Sequence, residues 1–122
     1  MTVVSTKFRH SVRFRVVVDA AVTSSALIEN VDDGSGRLFL ARVDNTKDAS
    51  NAVYLKVYDV IGPTLTTTYP CLVLKVDAGL SETFHFPYGL EYESLSFGLT
   101  TDANPVSNTA PQTSTAVYLT CG

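Results

Sequence analysis

From Val53 to Tyr58 the chain reads Val-Tyr-Leu-Lys-Val-Tyr, a strict period of two, and that period returns at short intervals to the end of the sequence. Successive side chains of a strand point to opposite faces, whereas a helical face recurs every three to four residues. A chain patterned in this way must build sheets. The alternation first runs from Lys7 to Val18, with Phe8, Val12, Phe14, Val16 and Val18 on one face and Lys7, Arg9, Arg13 and Arg15 on the other. It continues in Ser25–Val31, Arg37–Val43 and the stretch around Val53, Leu55 and Val57. Further on come Leu72, Leu74 and Val76, then Phe84 and Phe86, then Leu95, Phe97 and Leu99, and last Val117, Leu119 and Cys121.

What separates these segments is turn chemistry. Gly34 and Gly36 in Asp32–Gly36 permit a tight hairpin connection, and Gly62-Pro63 ends a strand because proline has no amide to donate. Asp44, Asn45, Asp48, Ser50 and Asn51 carry short polar side chains that bond their own backbone and so favour a turn. Ala78-Gly79 is a further turn, and Pro87–Gly89 is expected to stop the Phe84–Phe86 strand. Ala20–Asn30 could instead form a short helix, but no connection has the length and pattern of the helical crossovers that parallel strands need. The expectation is an all-β protein, a single antiparallel β-sandwich of about eight strands, jelly-roll or Greek-key in type. One domain spans 1–122, with 1–18 as a basic strand or arm. A chain of this length buries roughly two-thirds of its unfolded surface, so it needs neither metal nor disulfide to fold.

The formal charge of −3 conceals an asymmetry. Residues 1–18 hold Lys7, Arg9, Arg13 and Arg15 and no acid, while the remainder carries five basic against twelve acidic residues, a net of −7. The overall acidity, with a pI near 5.2, argues against nucleic-acid binding. The basic strand can instead meet an acidic surface of its own body or of a neighbouring subunit, and Lys7, Arg9, Arg13 and Arg15 are candidate interface residues on that ground. The other reading is a solvated strand face. The apolar run Val16–Val18 is far too short for a membrane span, and no Asn-x-Ser/Thr sequon occurs. Cys71 and Cys121 read as buried thiols or, alternatively, as a strand-to-strand bridge.

Few residues are arranged for chemistry. His10 and His85 lack the short-spaced partners of a metal site, and His85 is expected to face outward. No Gly-x-Ser-x-Gly elbow, phosphate loop or calcium loop is present. Asp32-Asp33 belongs to a turn, and Glu91 and Glu93 share a strand face without a sign of a cleft between them. No cofactor and no enzymatic activity are expected. Six tyrosines are more than a small core requires, and Tyr54 and Tyr58, alternating with the aliphatic residues of their strand, are candidate interface positions. The segment Thr101–Thr115, rich in polar residues and holding Pro105 and Pro111, reads either as a surface excursion without a core of its own or as an arm on a neighbour.

The run VDNTKDASNAVYLKVYDVIGPTLTTTYPCLVLKVDAG, followed by FPYGLEYESLSFGLTTDAN, resembles a recurring pattern in small structural proteins of tailed bacteriophages. In that pattern an Asn-rich turn precedes a VYLKVYD-like strand, a Pro-Thr connection, a Pro-x-Leu-Val-Leu strand and a small-Gly turn. The resemblance covers about Arg37–Asn104. Cys71 stands where a small aliphatic residue is commoner, and Asp77 where proline is common. The resemblance implies a β-sandwich virion component without activity, on the capsid exterior or on tail structures. The leading expectation is a capsid decoration (cement) protein on the outer shell, with the major capsid protein or other virion proteins as partners, and a homo-oligomer is expected because the exposed edges of short strands need covering. A tail or baseplate accessory, or a carbohydrate-binding sandwich at the host surface, is the alternative.

Overall fold

A computed structural model of the chain describes residues 3–7, 15–22, 34–111 and 113–122, the first two spans by backbone alone. The described residues form strands and turns, with no helix among them. The strands are β1 (Val3–Lys7), β2 (Arg15–Val22), β3 (Gly36–Asp44), β4 (Val53–Asp59), β5 (Leu72–Val76), β6 (Ser81–Tyr92), β7 (Leu95–Thr100) and β8 (Thr115–Cys121). One sheet is ordered β8-β3-β6 and is extended through backbone pairing by β2 and then β1; the other is ordered β5-β4-β7. Every pairing is antiparallel.

The inner faces of the two sheets share one apolar core. Leu38, Ala41 and Val43 of β3 and Val117, Leu119 and Cys121 of β8 meet Val53, Leu55 and Val57 of β4 and Leu95, Phe97 and Leu99 of β7. The period of two places the residues of β4, β7 and β8 inward, since a side chain every second residue reaches the same face; in β3 the irregularity at Phe39 shifts the phase, so that Leu38 and then Ala41 and Val43 face the core. Each fully buried aliphatic or aromatic side chain stabilises the fold by roughly 1.5–3 kcal/mol relative to exposure. Leu72 and Leu74 of β5 and Phe84 and Phe86 of β6 only partly join the core. Their strands lie at the sheet margins, which explains the half-exposure.

Three expectations are corrected. Lys7 and Arg15 do not lie on one strand: they face each other as partners on the antiparallel strands β1 and β2. Alternation alone cannot reveal a reversal of direction, because both arms of a hairpin carry the same period. Pro87–Gly89 does not end its strand either, for β6 runs on to Tyr92. Leu38 pairs with Leu90 and Leu40 with His85, so four β6 residues bulge opposite the single Phe39 and the ladder then resumes. A proline is tolerated there because β6 is an edge strand and a bulge needs no amide donor. Cys71, expected to be buried, is exposed just ahead of β5; Cys121 is buried, and no disulfide joins them. The strand anticipated at Ser25–Val31 lies outside the described residues.

Candidate functional site

The polar stretch between β3 and β4 is organised by its own side chains. Asp48 Oδ1 accepts hydrogen bonds from the amides of Ser50 and Asn51, each at 2.9 Å, while Asn45 Nδ2 donates to the carbonyls of Asn51 and Asp77. Both Asn45 and Asp48 are buried. The two backbone amides hold the Asp48 carboxyl below the ordinary aspartate pKa, and Asp44 is likewise lowered, chiefly by the Thr46 hydroxyl. These residues tie one loop to the turn before β6. Their role is architectural, and the stretch is a corner of the fold.

At the opposite end of the sheets, β3 begins and β4, β6 and β8 finish. A cleft of about 780 Å³ opens there, lined by Arg37, Asp59, Glu91, Tyr92, Glu93 and Gly122 among others. Asp59 Oδ1 accepts the amides of Glu93 (2.7 Å) and Ser94 (3.1 Å), which fixes the tight passage from β6 to β7. Arg37 forms an exposed ion pair with Glu91 and donates from Nη1 to the Tyr88 carbonyl at 2.8 Å. Asp59 is thus committed to backbone amides and Glu91 to a guanidinium. No group of three His, Cys, Asp or Glu side chains converges as a metal site among the described residues.

The same end carries exposed apolar side chains. Ile61, just beyond β4, is 89% exposed, Tyr69 is 71% exposed and Tyr88 is 89% exposed. Tyr69 belongs to this end because Cys71, two residues on, donates its amide to the Val57 carbonyl near the finish of β4.

Of the predicted interface tyrosines, Tyr54 is half-buried and Tyr58 is wholly buried, so Tyr58 offers no surface. Burial raises its phenol pKa, and its hydroxyl has no hydrogen-bond partner among the described residues. Period-two alternation showed that Tyr54, Lys56 and Tyr58 share the outer face of β4; it could not show that this face is covered. Arg9 and Arg13 lie outside the described residues. Lys7 and Arg15 are placed by register: Arg15 pairs with Cys121, Cys121 with Leu38, and Leu38 with Leu90. The basic pair therefore sits at the cleft end of the larger sheet.

Sequence reasoning passed over Lys56. It is fully buried, and its Nζ donates to the carbonyls of Asn104 at 2.6 Å and Ser107 at 3.2 Å. Burial pushes its pKa below the ordinary lysine value, with Asp102 pulling the other way. The segment 101–111 closes on itself through Thr101 N to Thr109 O at 3.0 Å, and Lys56 pins it against β4 of its own chain. No pattern in the sequence marks it, because its partners are backbone carbonyls about fifty residues away. Hydrogen bonds from a charged donor contribute about 1.5–3 kcal/mol each. Lys56→Met, which keeps the stem and removes the ammonium, is therefore expected to speed hydrogen exchange at the Thr101 and Ser107 amides by about tenfold or more while β4 amides keep their protection. Equal acceleration in β4 would show that Lys56 holds the whole fold and not this segment.

Against known proteins the chain gives no lead: no protein-family model matches it, and neither does a curated protein or a solved structure.

Proposed function

We propose that this chain is a non-enzymatic structural component of a bacteriophage virion, a decoration protein that binds the outer capsid shell. The observation that carries this reading is the interleaved strand order, β2-β8-β3-β6 over β7-β4-β5. The late strand β8 lies between the early strands β2 and β3, and β4 lies between β5 and β7; this interleaving supports a jelly-roll sandwich, which we read as eight-stranded. Capsid and lectin domains are built on that architecture. The sequence resemblance over Arg37–Asn104 points the same way, and the exposed Ile61, Tyr69 and Tyr88 beside an acidic cleft offer a surface for a protein neighbour. A fold does not fix a function, so the test is made on the particle. Quantitative mass spectrometry of purified virions should find this polypeptide at a copy number near that of the shell protein. A few copies per particle would move it to the tail or baseplate, and its absence from particles would end the virion reading.

One observation favours a second reading. Exposed aromatic rings beside three carboxylates are also what a sugar ring and its hydroxyls require, and a carbohydrate-binding sandwich facing the host surface would use this cleft. Heat release on titrating the isolated protein with host-surface glycans would support it; a decoration protein gives none.

A further inference from the structure

We infer that the cleft receives an arginine-bearing segment of another protein, its guanidinium groups held by Asp59 and Glu93 and by the face of an exposed tyrosine. The inference rests on the reading of this end as a surface for a protein neighbour and gives that neighbour its chemistry; it does not require the neighbour to be a capsid shell.

The charge of the cleft is one-sided. Asp59, Glu91 and Glu93 are exposed around it, and Arg37 is the one cation in its lining. That guanidinium is engaged by Glu91, and no ion pair of the described residues involves Asp59 or Glu93. The two lie next to each other, for Asp59 Oδ1 accepts the Glu93 amide at 2.7 Å. A volume of about 780 Å³ takes a ligand or a few residues of peptide, and two unbalanced carboxylates select a cation for it. Arg37 also shows which cation suits this end. Its planar fork reaches the Glu91 carboxylate and the Tyr88 carbonyl together, which the compact ammonium of lysine does less well.

The apolar side chains of this end lie on the same, acidic side. Ile61 is two residues beyond Asp59, and Tyr88 is the residue whose carbonyl Arg37 holds. Tyr69 is two residues ahead of Cys71, which lines a small hollow of about 20 Å³ together with Leu38, Leu90, Asp59 and Glu91. Asp59 and Glu91 line the cleft as well, so the two openings adjoin. A bare inorganic cation or a polyamine would meet the carboxylates and leave Ile61 and the rings in water. A neutral sugar would stack on the rings and leave the charge unbalanced. A peptide bearing arginine and apolar side chains meets both, since tyrosine attracts a guanidinium to its face while Ile61 and the hollow take aliphatic groups. The chain makes that ring contact elsewhere: Arg42 lies over Tyr118, 5.1 Å from the ring centroid.

The test uses the full chain and a short, end-blocked fluorescent peptide in which arginines flank a leucine, read by anisotropy. Its control is the same peptide with citrulline, the uncharged isostere, in place of each arginine. At ~20 mM salt the arginine peptide should bind with a dissociation constant below about 100 µM, and citrulline should weaken binding about tenfold or more. Glu93→Gln, which keeps the backbone bond to Asp59, should weaken it about fivefold, and Tyr88→Ala about two- to fivefold. Asp77→Asn removes the same charge from an exposed carboxylate at the opposite end, beyond the Val53–Val76 pair, and should leave binding unchanged. Equal binding of the citrulline peptide overturns the inference. Equal weakening by Glu93→Gln and Asp77→Asn overturns it too, for the peptide then senses only the diffuse acidity of the chain. A wild-type protein that binds neither peptide at ~1 mM also ends it; a high copy number on particles would in that case leave the virion reading standing. Arginine-dependent binding by a protein absent from particles would keep the inference and discard the shell as the neighbour. The peptide comparison needs no substitution, so a variant that fails to fold does not remove the test.

Discussion

Phe97→Ala is expected to destabilise the protein by about 3–5 kcal/mol, the range for emptying an aromatic site in a closed core. Phe97 is wholly buried in β7, a strand whose every residue is buried, and it faces Val57 of β4 across the sheet. The site lies within the joint core of both sheets, so its neighbours are held by two ladders and can close the cavity only in part. Domains of this size are stable by about 5–15 kcal/mol in total, which makes the loss a large share of the whole. Urea unfolding monitored by tyrosine fluorescence would show it as a lower midpoint at an unchanged slope. A loss under about 1 kcal/mol would mean that the two sheets do not close over this ring in solution.

That core was legible because its rule is short-range. Val53, Leu55 and Val57, like Leu95, Phe97 and Leu99, face inward for the single reason that strands alternate, and six adjacent residues suffice to state it. What the sequence could not carry was any relation between distant segments. Lys7 and Arg15 read as one strand because a hairpin and a longer strand have the same period; only the pairing of β1 with β2 separates them. Tyr58 read as a surface residue because its alternation with Val57 is identical whether the outer face of β4 meets water or is covered, and it is wholly buried. Lys56 is the strongest instance. Its partners are the carbonyls of Asn104 and Ser107, about fifty residues along the chain, and a backbone carbonyl has no signature in the sequence at all. The acidic end was visible as residue types, Glu91 and Glu93, but the third carboxylate, Asp59, joins them through the amides of Glu93 and Ser94, which follow from geometry alone.

The bulge in β6 supplies the second large effect, at Gly89. Its φ of 74° lies in the left-handed region that side chains disfavour, and a Cβ built there would stand 2.8 Å from Cβ of Arg37 and 3.0 Å from Cε1 of Phe39. Two costs thus fall on one position, and Gly79 separates them: it has the same φ of 74° but nothing within 4 Å of an added Cβ. Gly79→Ala is expected to cost only the conformational strain, about 1 kcal/mol. Gly89→Ala should cost that plus about 1–3 kcal/mol for forcing Arg37 and Phe39 aside, and Gly89→Val more again, since a branched Cβ tolerates the left-handed region least. The clash also falls on the residue that joins Tyr88 and Glu91, so the Gly89 variants should disturb the cleft end while the Gly79 variant leaves it intact. Chemical denaturation of the three variants beside the wild type measures the stability difference, and amide exchange at Leu38 and Leu90 reports whether the β3–β6 register survives. If Gly89→Ala and Gly79→Ala cost the same, the close approach of β6 to Arg37 does not exist in solution, and the bulge that lets a proline sit within this strand must be built another way.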